Sequence, residues 1–390
     1  MNNPIVTRRE LLRATMMAGG LLLVGWDRLI DVAQAKDPYP SGKLLGTLDF
    51  ISEDQFQMEV PAGLGLDGRL FTDLSKLTAD SLIIPTDRFY IRTRCPDLID
   101  YKSPWTINVA GLVEQPLTIK IDELTAKTRP MGVHLMECSG NRRSKHFSML
   151  SACQWSGVPI AEILSQVKLK STATQVLVGG FDGHWQPSFT SRPGADWIFT
   201  LAQLAESKAF LATQMNGAAL TPDHGYPVRL LVPGWYGCTC VKWVNRIMLV
   251  DREAPSTSQM IEFAARTHQH GVPTLARNYQ AAIIDQSAMP IRVEKWLVDG
   301  KITYNVVGIM WGGRKKTTAL GIRFNPTEAY LPVEQYEQLT NETWTLWSHK
   351  WTPAQAGLYR IQLKLLDPTI RTRRLNTGFY MRAVNITESS

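Results

Sequence analysis

The residues best placed to do chemistry lie in the run Met136-Glu137-Cys138-Ser139-Gly140-Asn141-Arg142-Arg143. A cysteine thiolate is a soft metal ligand. Gly140, two residues on, lets a bulky group approach the backbone. Arg142 and Arg143 favour the thiolate over the thiol and draw anions close. The plain alternative is a cysteine buried as a small apolar residue. A second run, Asp223-His224-Gly225-Tyr226-Pro227-Val228-Arg229, leads into Val232-Pro233-Gly234-Trp235-Tyr236-Gly237 and Val241-Lys242-Trp243. Taken singly, His224 reads as a satisfied core histidine, and Arg229 and Lys242 as charges at strand ends.

The elements around these runs alternate. Thr106-Ile-Asn-Val-Ala-Gly-Leu and Gln175-Val-Leu-Val-Gly-Gly-Phe read as strands closed by glycine. Ile160-Ala-Glu-Ile-Leu-Ser-Gln-Val spaces its apolar residues as a helix face opened by Pro159, and Leu201 to Leu211 reads as a second helix. Near Asp251-Arg-Glu-Ala-Pro-Ser-Thr-Ser the composition turns polar, as a linker would. Trp344-Thr-Leu-Trp-Ser-His-Lys-Trp and Leu358-Tyr-Arg-Ile-Gln-Leu-Lys-Leu then alternate with period two, the mark of half-buried strands in a β-sandwich. The expected organisation is an α+β domain over 89–254 and an all-β, immunoglobulin-like sandwich over 255–390. An irregular segment over 36–88 is expected to pack on the first domain.

Residues 1–35 read as an export signal. Thr7-Arg8-Arg9-Glu10-Leu11-Leu12 is a twin-arginine pattern, an apolar run follows from Ala14 to Trp26, and Ala33-Gln34-Ala35 offers a cleavage site. That run is shorter than the ~20 residues a membrane span needs, so no stable span is expected once the signal is cut. The implied location is the periplasm, reached after folding in the cytoplasm. The 390 residues suit two domains, and 44% hydrophobic with 20% charged residues exclude a disordered chain. A net charge of +7 suits an anionic ligand. Short pairs such as Arg373-Arg374 read as solvated surface, and with no basic stripe or binding motif, nucleic acid is not an expected partner. The 5 cysteines are an odd number for an exported chain, which reserving one for a metal would explain. Cys238-Thr239-Cys240 is too close for an unstrained disulfide.

The two long runs, in this order, resemble those of the sulfite oxidase family. Cys-Ser-Gly-Asn-Arg-Arg is similar to that family's cysteine loop, and the Asp223–Arg229, Val-Pro-Gly and Val-Lys-Trp segments follow its second signature. The resemblance extends from about Phe89 to the C-terminus. It implies Mo-molybdopterin as cofactor, with Cys138 as the protein's ligand to molybdenum. Phe89-Tyr90-Ile91-Arg92-Thr93-Arg94 resembles a Phe-Phe-x-Arg-Asn-His segment that lines the cofactor, departing from it at Thr93 and Arg94. By this resemblance Tyr90, Arg92, Thr93, Arg94, Asp182, His224, Arg229, Cys240 and Lys242 contact the pterin, whose phosphate calls for donors and positive charge. Arg92, Arg143 and Arg314 are implied to gather the substrate anion, with Arg314 reaching in from the β-domain and Trp155 on the pocket wall. Three guanidinium groups around one small site favour a doubly charged oxyanion such as sulfite. The family's active-site tyrosine has no counterpart in 259–268, and His268, Arg266 and Tyr236 are the candidates to take its place. Some segments also resemble sulfane dehydrogenase subunits. Sulfite oxidation is the activity implied, with electrons leaving to an external acceptor such as a c-type cytochrome, and a homodimer is implied through the β-domain.

Overall fold

The computed structural model describes residues 38–100, 103–181, 188, 192, 194–317, 319–333 and 342–388. The export signal and Asp182 lie outside the described residues.

The first unit is built on two five-stranded sheets. In one, Ala218–Ala219, Phe210–Met215, Leu150–Pro159 and Arg129–Glu137 lie side by side, with Arg229–Leu231 also pairing with Phe210–Met215. In the other the order is Leu117–Lys120, Thr106–Gly111, Val244–Val250, Gln175–Gly180 and Asp196–Thr200, with a parallel pair only between Thr106–Gly111 and Val244–Val250. The strands of the first sheet matter for chemistry. Arg129–Glu137 ends one residue before Cys138, and Leu150–Pro159 starts where the cysteine loop returns. Asn141 stitches that loop: its side chain donates to the Phe147 carbonyl at 2.9 Å and accepts from the Met149 N–H at 3.2 Å. The reversal is completed by His146 and Phe147, both left-handed at φ 55° and 54°.

The second unit is a sandwich of two four-stranded sheets. One runs Lys43–Leu48, Ser287–Val298, Lys301–Trp311, Thr345–Trp351; the other Leu331–Pro332, Leu320–Arg323, Gly357–Leu365, Arg382–Ile386. Trp311 and Trp347 are fully buried in it, and such rings are the largest single contributors of buried apolar area. The mixed first unit and all-β second unit follow the fold class expected from the sequence.

Three local expectations change. Leu201–Leu211 is not one helix: the helix stops at Glu206, Lys208 turns the chain at φ 52°, and Phe210–Met215 is a strand. Thr200 and Gln203 form a capping box that fixes only the start, and burial of Phe210 and Leu211 in the sheet decides the rest. The segment over 36–88 does not pack only on the first unit, because Lys43–Leu48 pairs antiparallel with Ser287–Val298. The residues from 255 to 286 wrap back along the first unit, and the first strand of the second unit opens at Ser287. Thr257 holds them there: its hydroxyl donates to the Asp196 carbonyl at 2.6 Å and accepts from Met260 N–H at 3.2 Å, capping the helix Ser258–Phe263.

Candidate active site

A cleft of about 830 Å³, including its open mouth, lies where the cysteine loop, the Tyr90–Thr93 segment and the Asp223–Trp243 region meet. Cys138 lines it, although the residue is only 4% exposed. The Cys138 N–H donates to Met149 O at 3.0 Å, and its carbonyl accepts from Asn141 N–H at 2.9 Å, so the thiol is carried on a fixed backbone. All five cysteines are unbridged. Cys238 and Cys240 also line the cleft, and burial raises both thiols above the usual range.

Tyr90, Arg92 and Thr93 form one wall. Tyr90 stacks on Phe89 with ring centroids 5.4 Å apart, and burial raises its phenol well above the ordinary value. A Cβ on Gly237 would come within 2.5 Å of the Tyr90 hydroxyl, so only glycine fits there. Arg92 donates to Leu66 O at 2.9 Å and to the Thr93 hydroxyl at 3.2 Å. Thr93, a β-branched residue, sits at φ 77°, a strained conformation of the kind that collects at ligand sites. Arg69 pairs with Arg92 across two short strands. Burial, reinforced by the charge of Arg92, lowers the Arg69 guanidinium to about 10, while Cys138, Asp67 and Glu262 pull the other way.

His224, Arg229 and Lys242 form the opposite wall. His224 Nε2 lies 3.1 Å from Phe89 O, a contact only an N–H can make, and its Nδ1 lies 2.7 Å from the Thr221 hydroxyl. Burial lowers its pKa to about 4, so it is a neutral imidazole with both nitrogens used. It is thus a structural histidine as well as a cleft residue. Arg229 donates to His224 O at 3.1 Å and Cys240 O at 3.0 Å and lies over the Trp155 ring at 5.6 Å. Its Nε is buried with no hydrogen-bond partner. Lys242 donates to the carbonyls of Thr93 and Asp223 and covers the Trp243 ring at 4.3 Å.

Of the residues expected here, Cys138, Tyr90, Arg92, Thr93, His224, Arg229, Cys240 and Lys242 are brought together. Arg94 stands just behind the wall, ion-paired with Asp223 at 3.0 Å. Trp155 does not line the cleft; it is fully buried beneath Arg229, with its N–H donating to His134 O at 3.3 Å. Arg143 turns from the cleft into a short helical turn, half-buried. Arg314 is not in the site: its side chain is 66% exposed and has a loose ion pair with Glu206 at 3.9 Å. Gly312 and Gly313, both left-handed at φ 76° and 73°, turn the chain ahead of it.

Sequence reasoning missed Gln259, Glu262, Arg192 and Arg374. Gln259 and Glu262, one turn apart on the helix Ser258–Phe263, both line the cleft, as does Arg192. Gln259 Nε2 donates to Cys238 O, and Glu262 accepts from Arg192 N–H at 2.8 Å. The pair Arg373-Arg374 is not solvated surface. Arg373 grips Asp285 at 2.6 and 3.0 Å, and Arg374 is only 9% exposed. Arg374 carries the second unit into the cysteine loop, donating to Ser139 O at 2.8 Å and Arg266 O at 2.9 Å over the Tyr236 ring. Below it the fully buried Glu137 accepts from Trp311 Nε1 at 2.9 Å and from the Tyr380 hydroxyl at 3.0 Å. Burial raises the Glu137 carboxyl, against the nearby charge of Arg374.

These residues fit a large cofactor bearing an anionic arm and a metal. The cleft is lined by the thiols of Cys138, Cys238 and Cys240, by a buried guanidinium Nε without a hydrogen-bond partner, and by a wall shaped by a glycine with no room for a side chain. Among the described residues no group of three or more His, Cys, Asp or Glu side chains could hold a metal by itself. Cys138 therefore suits a metal whose other ligands arrive with a cofactor.

Such a cleft suits an oxidoreductase that binds molybdopterin. Residues 93–258 match the sequence family described as "Oxidoreductase molybdopterin binding domain", so the chain carries such a domain and its cofactor is Mo-molybdopterin. A nitrate reductase [NADPH] of Beauveria bassiana is 30% identical over 267 residues, covering 61% of this chain and 29% of the relative. A nitrate reductase [NADH] of Solanum lycopersicum is 30% identical over 199 residues, covering 47% of this chain and 22% of the relative. The chain thus spans less than a third of the length of the curated relatives it matches. In fold it is similar to the sulfane dehydrogenase SoxCD of Paracoccus pantotrophus, with a TM-score of 0.61 and 19% identity over 91% of this chain and 95% of the other.

Proposed function

We propose that this protein oxidises a small sulfur-containing anion, sulfite in the first instance, and passes the electrons singly to an external acceptor such as a c-type cytochrome. The observation that supports this most is Cys138 facing a cleft whose walls carry Arg92, Arg229 and Lys242. Bound there, Mo-molybdopterin supplies oxygen transfer and accepts the substrate's electrons. The chain's own residues do the rest. Arg229 and Lys242 present donors to the cofactor's anionic arm. Cys138 would hold the metal, on a backbone that Asn141 and Met149 tie by hydrogen bonds. Arg92 offers positive charge to an approaching anion, a preorganised electrostatic role.

A second reading uses the same cofactor on another substrate, a less charged sulfur compound as in a sulfane dehydrogenase or an oxoanion as in a reductase. It is favoured by the place of Arg314, outside the cleft, and by Glu262, which puts a carboxylate inside it. The name of the structural relative, a sulfane dehydrogenase, points the same way. Cys138 facing the same cleft as Arg92, Arg229 and Lys242 argues against a non-catalytic binding protein. The leader over 1–35 supports export to the periplasm by the twin-arginine route.

Metal and pterin content of the purified protein, read with sulfite-dependent reduction of ferricyanide, tests the proposal. Near-stoichiometric molybdenum with sulfite turnover is the expected result. Molybdenum without sulfite turnover moves the substrate to the second reading, and matured protein lacking molybdenum overturns both.

A further inference from the structure

We infer that Glu262 limits how much negative charge the site accepts, so that the substrate is a singly charged or neutral sulfur species carrying a hydrogen-bond donor. The inference rests on the sulfur oxidation proposed above and narrows its substrate class.

Three observations converge on this carboxylate. Glu262 lines the cleft with Cys138, on a helix whose start is pinned to the first unit by Thr257. Its Oε2 is used, accepting from Arg192 N–H at 2.8 Å. Its Oε1 is buried with no hydrogen-bond partner and lies 3.8 Å from Arg92 Nη2. Arg92 is the cleft-lining guanidinium that Glu262 faces. A carboxylate at that distance cancels much of its field, and a second negative charge brought into the cleft is repelled by Glu262. Arg69 belongs to the same neighbourhood, since its ionisation responds to Arg92, Cys138 and Glu262 together.

Oε1, ion-paired with Arg92 but with no hydrogen bond, adds a chemical requirement. A buried carboxylate oxygen with no hydrogen bond is unfavourable until something donates to it. A sulfite dianion has no proton to give. A hydrogensulfite, or a sulfane sulfur carried as S–H, has one and brings one less negative charge. The group that weakens dianion binding is thus the same group that recognises the protonated form.

The test uses the holoenzyme and Glu262→Gln. Glutamine keeps an oxygen to accept from Arg192 N–H but removes the charge. Sulfate, a dianion that needs no turnover, is titrated calorimetrically into both proteins, and sulfite kinetics are measured at alkaline pH. Sulfate binding about tenfold tighter in the variant, with a larger fall in KM for sulfite than change in kcat, is the expected result. Equal sulfate affinity in a variant with full molybdenum content overturns the inference. So does loss of cofactor from the variant, because the carboxylate would then belong to the cofactor's seat. If wild-type holoenzyme does not oxidise sulfite, sulfite as the substrate fails, while the sulfate titration still decides the role of Glu262.

Discussion

Two buried charged regions lie on either side of the cysteine loop, and they differ in how completely their hydrogen bonds are used. Around Glu137 both carboxylate oxygens have donors, and Arg374 is shared among Glu137, Ser139 O, Arg266 O and two aromatic faces. Around the cleft, Arg229 Nε and Glu262 Oε1 are buried without hydrogen-bond partners, and Thr93 is held in a strained backbone. The first region joins the two units and is complete at Glu137 itself, with only His268 Nε2 beside it buried without a hydrogen-bond partner. The second has two charged groups with unused hydrogen-bonding atoms, Arg229 Nε and Glu262 Oε1, in residues that line a cleft where a ligand can reach. Buried charge by itself says little about function; buried charge left incomplete says where a partner belongs.

The sharpest way to break this contrast is at Cys138. Cys138→Ser is expected to reduce sulfite-dependent ferricyanide reduction to background while near-UV circular dichroism stays native; full turnover by that variant would refute the ligand assignment. On the Glu137 side, Arg374→Ala leaves Glu137 buried without its cation. Urea unfolding should show a loss of about 3–5 kcal/mol, and an unchanged midpoint would mean the hub is not holding the units together.

A smaller effect is expected at Glu53, which is fully buried against Arg382 and accepts from His146 Nδ1 at 2.9 Å. The hydrogen bond to Glu53 raises the His146 pKa above its usual 6.5. Its contribution is therefore complete below about pH 6.5 and fades as the pH rises through the raised value. Burial acts to raise Glu53, but His146 and Arg382 outweigh it and the net direction is down, so its share is lost only on acidification. His146→Gln should cost on the order of 1 kcal/mol near pH 6, with the gap to wild type closing at alkaline pH in thermal unfolding. A gap that stays constant with pH would exclude a charged His146. The smallest effect is reserved for Arg314→Ala, which should leave kcat/KM and stability within about 0.5 kcal/mol of wild type. A marked loss of sulfite affinity there would return Arg314 to the site.

Most of the cleft was legible because its residues cluster in three runs, 89–94, 136–143 and 223–243, that resemble those of a known family. Arg69 was not, since its partner Arg92 becomes its neighbour only through strand pairing. Glu262 was hidden by a stretch that reads as the opening of the β-domain. Thr257 as a helix cap, with Met260 and Phe263 on one apolar face, was the available signal. Arg374 was misread because a charged doublet looks solvated from sequence, and only the packing of Tyr236 and Phe379 around it shows otherwise. Arg314 failed for the opposite reason: a motif match cannot show which way two left-handed glycines turn the next side chain.

The strand Lys43–Leu48 also bears on how the chain folds. It is made early but pairs with Ser287–Val298, roughly 250 residues further on, so its partner does not exist until most of the chain has been synthesised. Closing a loop of that length costs about 5 kcal/mol in chain entropy, which the finished sandwich must offset. The first strand among the described residues is therefore among the last to be secured, and its docking marks the moment when both units are complete.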